Sequence, residues 1–331
     1  MVTKSVLLAI LAAASCGCAS VSRALGAEKG VIAVTYYAPA WGPNDKGQEV
    51  VYFLKQVTLE SRTEELGRIY FCSIKPDGTD RKEIAQLWKD NPDQFFENFA
   101  VAVTMDVNAA TKRAAVGVEL GQRGGIFIFN LDGTGFRSVL PKEWKEDRPN
   151  TAGYPTWSPD GQWIAFQEYR FEKGFELYRI VKCKPDAGDY ASLTERQASN
   201  MYPAWSPTGN QIAYCHYPKF YPGPRYLWLM NSDGANKRDL KAWGGYPRWS
   251  PDGKFILHDS ADVVDPSTGK VVSRFHPDLP VYPKWGNAGF VGVGPLGIDF
   301  TPPSGKDTRP LLKNCSRAGG TADLEKEHFR W

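Results

Sequence analysis

Short runs of alternating apolar and polar residues, interrupted by proline and glycine, extend along most of the chain. One phrase recurs: YPTWSPDGQWIAF from Tyr154, YPAWSPTGNQIAY from Tyr202, YPRWSPDGKFIL from Tyr246 and a weaker YPKWGNAGFVGV from Tyr282. Each phrase is typical of two short β-strands joined by a tight turn. A phrase that returns at regular spacing indicates a repeat architecture, in which every copy is one structural unit.

The tryptophan of each phrase marks the register of the repeat. Trp157, Trp205, Trp249 and Trp285 follow one another at intervals of 36 to 48 residues, which suits a four-stranded unit. Around Trp205 the pattern predicts four successive strands, at 201–206, 211–217, 226–231 and 237–242. Four short strands in succession form an antiparallel meander.

Two further copies lie nearer the N-terminus. YAPAW, which ends at Trp41, is similar to the start of a first copy, and a degenerate second copy places Met105 where the others have tryptophan. Six four-stranded sheets bury both faces only by stacking on one another, and closing the stack into a ring leaves few exposed edges. We therefore predict an all-β fold, a six-bladed β-propeller of four-stranded antiparallel blades at 28–314. Ring closure is expected between a strand at 31–37 and the segment 309–314.

Much of the phrase has a structural explanation. In Ser-Pro-Asp-Gly, proline presets φ for a turn and glycine supplies the positive φ that follows it. One large apolar side chain at a constant place in each unit packs neighbouring sheets face to face. The structural residues predicted in this way are Trp41, Trp157, Trp205, Trp249 and Trp285.

These phrases, followed by segments such as LWLMNSDGANKRDL, resemble the repeats of TolB-type (WD40-like, PD40) β-propellers of the bacterial periplasm. The similarity is strong from about Tyr154 to Pro251 and weaker at both ends. It does not extend to the N-terminal domain that TolB carries ahead of its propeller. The resemblance implies a protein or peptide partner in the cell envelope.

The first residues have the pattern of an export signal. Lys4 precedes an apolar run, VLLAILAAA, that is too short to span a bilayer, and small residues follow it. We predict a signal peptide at 1–27, a periplasmic or envelope location, and a C-terminal tail at 315–331. The apolar run enters Ala-Ala-Ser-Cys16, which resembles a lipobox. A lipid anchor on Cys16 and ordinary cleavage near Ala19 or after Ala27 both remain open, and the anchor would be the protein's contact with a membrane.

The charge distribution argues against nucleic-acid binding, and the cysteine content leaves two alternatives for the thiols. The 40 basic and 37 acidic residues are dispersed along the chain, so no basic stripe indicates nucleic-acid binding. Four cysteines follow the leader: Cys72, Cys183, Cys215 and Cys315. In an oxidising compartment they could form two disulfides, and buried free thiols are the alternative.

The chain offers little catalytic chemistry. No serine stands in the G-x-S-x-G elbow of the peptidases that carry related propellers. His216 and His258 fall on second strands of adjacent units, which is a weak pattern for a metal site. We predict a non-catalytic protein-interaction or scaffold module without a cofactor. A carbohydrate-binding propeller, or a metal-dependent one resembling oligogalacturonate lyase and acting on acidic glycan, is the alternative.

One cluster is a candidate binding site. In Tyr-Pro-x-Trp, strand alternation puts the tyrosine and the variable residue x on one side of the innermost strand. If they edge the central channel, they form a tyrosine rim with two cations, which could take a peptide carboxylate, an acidic loop or an anionic glycan. Tyrosines that only pack between blades are the alternative. The candidate residues are Tyr154, Tyr202, Tyr246, Arg248, Tyr282 and Lys284.

Overall fold

A computed structural model describes most of the repeat region. It covers residues 31–59, 66–89, 101–120, 123–139, 151–172, 175–195, 198–218, 223–259, 261–275, 279, 281–294, 297–313 and 315–316. The predicted signal peptide and Cys16 lie outside this range, as does the tail beyond Ser316. All regular elements in the described ranges are β-strands, and these ranges hold no apolar helix of membrane-spanning length.

Six four-stranded antiparallel sheets, the blades, follow one another along the chain. Blade 1 contains β1 (Val31–Pro43), β2 (Glu49–Leu59), β3 (Leu66–Ile74) and β4 (Lys82–Lys89). Blade 2 contains β5 (Val101–Asn108), β6 (Arg113–Leu120), β7 (Arg123–Asn130) and β8 (Arg137–Ser138). Blade 3 contains β9 (Thr151–Trp157), β10 (Ile164–Glu172), β11 (Phe175–Cys183) and β12 (Ala191–Ser192).

The second half of the ring repeats this arrangement. Blade 4 contains β13 (Ser199–Trp205), β14 (Gln211–Tyr217), β15 (Tyr226–Asn231) and β16 (Arg238–Trp243). Blade 5 contains β17 (Arg248–Trp249), β18 (Ile256–Leu257), β19 (Asp262–Val264) and β20 (Val271–Arg274). Blade 6 contains β21 (Val281–Gly286), β22 (Gly289–Gly294), β23 (Gly297–Thr301) and β24 (Arg309–Lys313). Strands pair in chain order within every blade, so the predicted six-bladed β-propeller is confirmed.

The register of blade 2 corrects one assignment. Val107 pairs with Ala114 in the same position relative to the turn as Trp157 pairs with Ile164 in blade 3. Val107 therefore occupies the tryptophan place, and the prediction of Met105 there is wrong by two residues. The error arose because blade 2 has no tryptophan to mark its register.

The inner strands carry a bulge at the residue before proline. Ala38, Tyr154, Tyr202 and Tyr246 have φ values between 52° and 57°, in the left-handed region that non-glycine residues seldom adopt. In blades 1, 3 and 4 two residues of the inner strand face one residue of the second strand at this point. A bulge interrupts the alternation of side chains. Strict alternation is therefore the wrong basis for placing the tyrosines, and the bulge itself sets their direction.

The ring closes through a short strand from the C-terminal side of the described chain, which joins the sheet of blade 1. Residues 309–313, expected to pair with the first strand, form instead the outer strand of blade 6. A short strand, β25 (Cys315–Ser316), pairs with the start of β1 through Val34 and Ala33. At the same seam the Trp41 indole donates to the Lys284 carbonyl at 3.1 Å.

Three of the seams between blades share one further contact. An arginine of the outer strand donates to the carbonyl of a proline in the turn after the third strand of the next blade. These pairs are Arg137 with Pro185 at 2.7 Å, Arg238 with Pro266, and Arg309 with Pro76 at 2.6 Å. They join blade 2 to blade 3, blade 4 to blade 5 and blade 6 to blade 1. The ring-closing seam therefore uses the same contact as two internal seams.

Apolar side chains fill the seams, and the cysteines belong to this core. Cys72, Cys183 and Cys215 are fully buried free thiols. The interpretation with two disulfides is therefore wrong, since it needs all four cysteines. Burial raises the pKa of each of these thiols to about 12, which keeps them protonated and unreactive at neutral pH.

Candidate functional site

Tyrosines from three blades meet at the centre of the ring. The Tyr202 and Tyr246 rings stack with centroids 3.7 Å apart and planes 22° apart, and Tyr154 meets Tyr202 edge-on at 4.7 Å. The Tyr154 and Tyr246 rings are 5.9 Å apart although blade 4 separates their strands. Side chains of blades that are not neighbours come this close only near the ring axis. The bulges therefore bring three of the predicted residues into one cluster.

Asp106 is a member of this centre that the sequence analysis missed. It occupies in blade 2 the variable place of the Tyr-Pro-x-Trp phrase, since it pairs with Ala115 as Thr156 pairs with Ala165. Its Oδ2 atom accepts a hydrogen bond from the backbone N–H of Trp157 at 2.9 Å. The Thr156 hydroxyl accepts the equivalent bond from the following blade at 3.2 Å. A side-chain oxygen at this variable place therefore links one inner strand to the inner strand of the next blade by a hydrogen bond.

The other oxygen of Asp106 faces a lysine across the ring. Asp106 Oδ1 and Lys284 Nζ are 3.5 Å apart, although blade 1 lies between their strands. Ala40 fills the variable place of blade 1 and leaves room for the lysine side chain. Burial lowers the pKa of Lys284 to about 8; the Asp106 carboxylate opposes that shift and the Arg248 cation adds to it. Lys284 is therefore a mostly buried cation whose charge the Asp106 carboxylate, at 3.5 Å, compensates only in part.

Arg248 is a buried cation whose hydrogen-bonding groups are only partly satisfied. It is 9% exposed, its Nη1 donates to the Pro247 carbonyl at 2.8 Å, and its Nε has no hydrogen-bond partner in the described ranges. Its electrostatic neighbours are Asp106, Tyr154 and Tyr246, and burial is the main cause that lowers its pKa. A guanidinium remains charged even so. The described centre therefore holds two cations and one carboxylate.

The predicted rim residues differ in what they can offer a ligand. Tyr202 is 6% exposed and its ring contacts both other tyrosines, so it packs the cluster. Tyr154 and Tyr246 are only partly buried, so each keeps some contact with solvent. The side chain of Tyr282 lies outside the described part of the chain, and its place on the rim stays a prediction.

The repeat tryptophans lie at the seams. Trp157, Trp205 and Trp249 are at most 8% exposed, and each belongs to a different apolar cluster between sheets. Trp41 and Trp285 are partly buried and pack against the cores of their own seams. Their geometry is that of packing residues, with the polar centre beside them.

The two histidines on second strands have other partners. His216 Nδ1 is 2.9 Å from Asn200 Oδ1, and its ring lies 4.4 Å from that of Trp228. His258 is 2% exposed and lies between Asp259 and Asp262. The described ranges contain no group of three or more His, Cys, Asp or Glu side chains suited to holding a metal ion.

Comparisons with known proteins give a likeness of fold. No protein-family model matches the chain, and no curated protein sequence matches it. A putative TolB from Agrobacterium tumefaciens is 18% identical, with 87% of this chain and 90% of that chain covered and a TM-score of 0.44. A chain of a nidogen/laminin complex is 12% identical, with 86% and 96% covered and a TM-score of 0.53. An oligogalacturonate lyase from Vibrio parahaemolyticus is 14% identical, with 90% and 89% covered and a TM-score of 0.50.

An oligogalacturonate lyase and a chain of a nidogen/laminin complex thus share this architecture, which by itself assigns no activity. The predicted resemblance to TolB-type propellers holds as a likeness of fold: the chain is a β-propeller, and TolB structures are among those it is similar to.

Proposed function

We propose that the chain is an exported, non-catalytic β-propeller that binds a protein partner in the bacterial cell envelope. The resemblance of its repeats to those of TolB-type periplasmic propellers supports this class of partner. The observation that carries the proposal is the ring centre, where the partly exposed Tyr154 and Tyr246 adjoin the buried, incompletely paired Arg248.

Tyrosine and arginine are, with tryptophan, the side chains enriched among the residues that dominate protein interfaces, because each combines a large apolar area with hydrogen-bonding groups. Here the rings fix one another by contact, and the bulged strands fix their backbone. A partner therefore meets a surface whose side chains are already ordered, and binding loses less conformational entropy.

Photo-crosslinking in the producing bacterium tests the proposal. A photoreactive phenylalanine analogue replaces Tyr154 in the full chain with its own leader. A matched control places the same analogue at Trp243, which is 57% exposed on the outer strand of blade 4. We expect one envelope protein to be crosslinked from position 154 and not from position 243. Identical products from both positions, or none in the envelope fraction, would contradict the proposal.

Two further measurements separate the alternatives. A stoichiometric bound metal in the purified chain, together with cleavage of acidic polysaccharide, would replace the interaction module by a lyase. We expect neither. Palmitate labelling that is lost in Cys16→Ala would establish the lipid anchor, and labelling that is absent from the native chain would assign ordinary cleavage instead.

A further inference from the structure

We propose that the ring centre binds one carboxylate group of a peptide, held jointly by Arg248 and Lys284. This inference rests on the proposed function, since it names the part of the protein partner that the site takes.

The charges of the centre favour a bound anion. Asp106 is the carboxylate among Arg248, Lys284 and the tyrosines, and both of its oxygens are engaged, one by the Trp157 N–H and one by Lys284. Arg248 keeps an unpartnered Nε at 9% exposure. Burying a cation without a paired anion is unfavourable. A carboxylate that entered here would supply both the missing charge and the missing acceptor.

The free groups have the shape that a carboxylate requires. Arg248 Nη1 is used by the Pro247 carbonyl, which leaves the edge of the guanidinium that carries Nε. Two N–H groups on one edge of a guanidinium match the two oxygens of a carboxylate. Lys284 Nζ is 3.5 Å from Asp106, a long contact that leaves this ammonium able to donate to a second acceptor.

The tyrosines favour a peptide over a sugar. Tyr202 and Tyr246 stack on each other at 3.7 Å, and the Tyr154 ring meets that of Tyr202 at 76°, so the faces that Tyr202 and Tyr246 turn toward each other are not open to a sugar ring. A sugar ring requires a free aromatic face on which to lie, whereas the carboxylate of a chain end or an acidic side chain requires only the N–H groups of the two cations. The geometry therefore fits a narrow acidic group.

Small probes test the site on the full exported chain. N-acetylalanine carries a peptide C-terminal carboxylate, and N-acetylalaninamide is its uncharged match. By calorimetry or NMR titration we expect the acid to bind at least about tenfold more tightly than the amide, since charged hydrogen bonds are the stronger ones. Arg248→Met and Lys284→Met should each weaken the acid by about tenfold or more.

Matched variants control for general effects of charge. Arg81 and Lys241 are exposed and lie outside the centre, so Arg81→Met and Lys241→Met should bind the acid as the native chain does. Arg248→Lys keeps the charge and loses the planar edge, and its affinity should fall between those of the native chain and Arg248→Met. If circular dichroism shows that Arg248→Met does not fold, Arg248→Lys and Lys284→Met test the site instead.

The results distinguish a failure of the carboxylate site from a failure of the proposed function. Equal binding of acid and amide, or native affinity in folded Arg248→Lys and Lys284→Met, overturns the carboxylate site. Tighter binding of inorganic phosphate than of N-acetylalanine overturns it as well, and tighter binding of galacturonate overturns the assignment to a peptide. Probe binding without a crosslinked envelope partner would leave the site standing and remove the proposed function. A crosslinked partner without probe binding would leave the proposed function standing and remove the carboxylate site.

Discussion

Replacing the buried tryptophans of the repeat one at a time by phenylalanine should destabilise the ring unequally, although all three hold the same place. The Trp249 indole N–H donates to the Ala204 carbonyl across the seam between blades 4 and 5, at 3.0 Å. The Trp205 indole N–H donates to Gly209 in its own turn at 2.9 Å. The Trp157 indole N–H is buried without a partner in the described ranges.

The magnitudes follow from this difference. Each replacement removes roughly 40 Å² of buried apolar surface, which at about 25 cal/mol per Å² lowers the free energy of unfolding by about 1 kcal/mol. Trp249→Phe also removes a buried hydrogen bond, for a further loss of about 1 kcal/mol, and more if the carbonyl stays unpaired. Trp157→Phe instead removes an unpaired buried donor, which offsets the lost contact. We expect losses of about 2–3 kcal/mol for Trp249→Phe and about 0–1 kcal/mol for Trp157→Phe. Trp205→Phe should fall between them, because water can replace a donor at a surface turn.

Urea unfolding followed by far-UV circular dichroism measures these losses without depending on tryptophan fluorescence. An unchanged m-value in each variant would show that the same surface unfolds, so that the midpoints report stability. Equal losses in Trp157→Phe and Trp249→Phe would refute the reasoning, because they would show that the indole hydrogen bond contributes nothing.

Three further predictions concern the centre, the closing seam and the thiols. Burial lowers the pKa of Lys284 to about 8, with Asp106 opposing and Arg248 adding to the shift. Affinity for N-acetylalanine should therefore be full below pH 8 and fall as the pH rises through that value. Titrations of Lys284→Met from pH 6 to 9 should show no such fall. Gly286→Ala should lower the free energy of unfolding by about 1–3 kcal/mol in the same urea assay, because its Cβ would lie 2.6 Å from the Trp41 indole; native stability would show that the closing seam is loosely packed. Cys72, Cys183 and Cys215, buried with pKa values raised to about 12, should react with a thiol reagent only after denaturation, and rapid labelling of the native chain would contradict their burial.

The blades were predictable because their signals are local. In Ser-Pro-Asp-Gly the turn residues act on their own backbone, as when Ser158 and Asp160 hydrogen-bond within one turn at 2.6 Å. The predicted strands at 211–217 and 226–231 coincide with β14 and β15 for the same reason. The repeat period and the turn residues are sufficient to place the strands wherever a copy contains the tryptophan that marks its register.

The ring centre was only partly predictable because it depends on register and on long-range contact. Tyr246 and Arg248 could be named from the phrase, but Asp106 lies in the copy whose tryptophan place is taken by Val107. The turn itself held the missing signal: Asn108 binds into its turn through its side chain, much as Ser158 does, and aligning the two would have placed Asp106 correctly. The partners of Arg248 follow only from the three-dimensional ring.

The closing strand pair was predicted correctly on the side of 31–37 and misplaced on the other side, where the partner is 315–316 and 309–313 belong to blade 6. Nothing local distinguishes 309–313 as an outer strand from a strand that returns to β1, because this five-residue segment buries only the adjacent Leu311 and Leu312 and has no alternation of apolar and polar positions to mark its place. The choice is made by the rest of blade 6, which supplies three strands before it.

Contiguous blades have a consequence for how this chain can be cut and rejoined. The four strands of every blade are consecutive in the chain, and β25 adds a fifth strand beside β1, so among the described sheets that of blade 1 alone combines strands from both ends of the described chain. A circular permutant that opened between blades 2 and 3 would keep all six sheets whole, and the arginine-to-proline contact of Arg137 would close the new gap as that of Arg309 closes the present one. The seam between blades 4 and 5 has the same contact through Arg238, so the chain offers the same opening there.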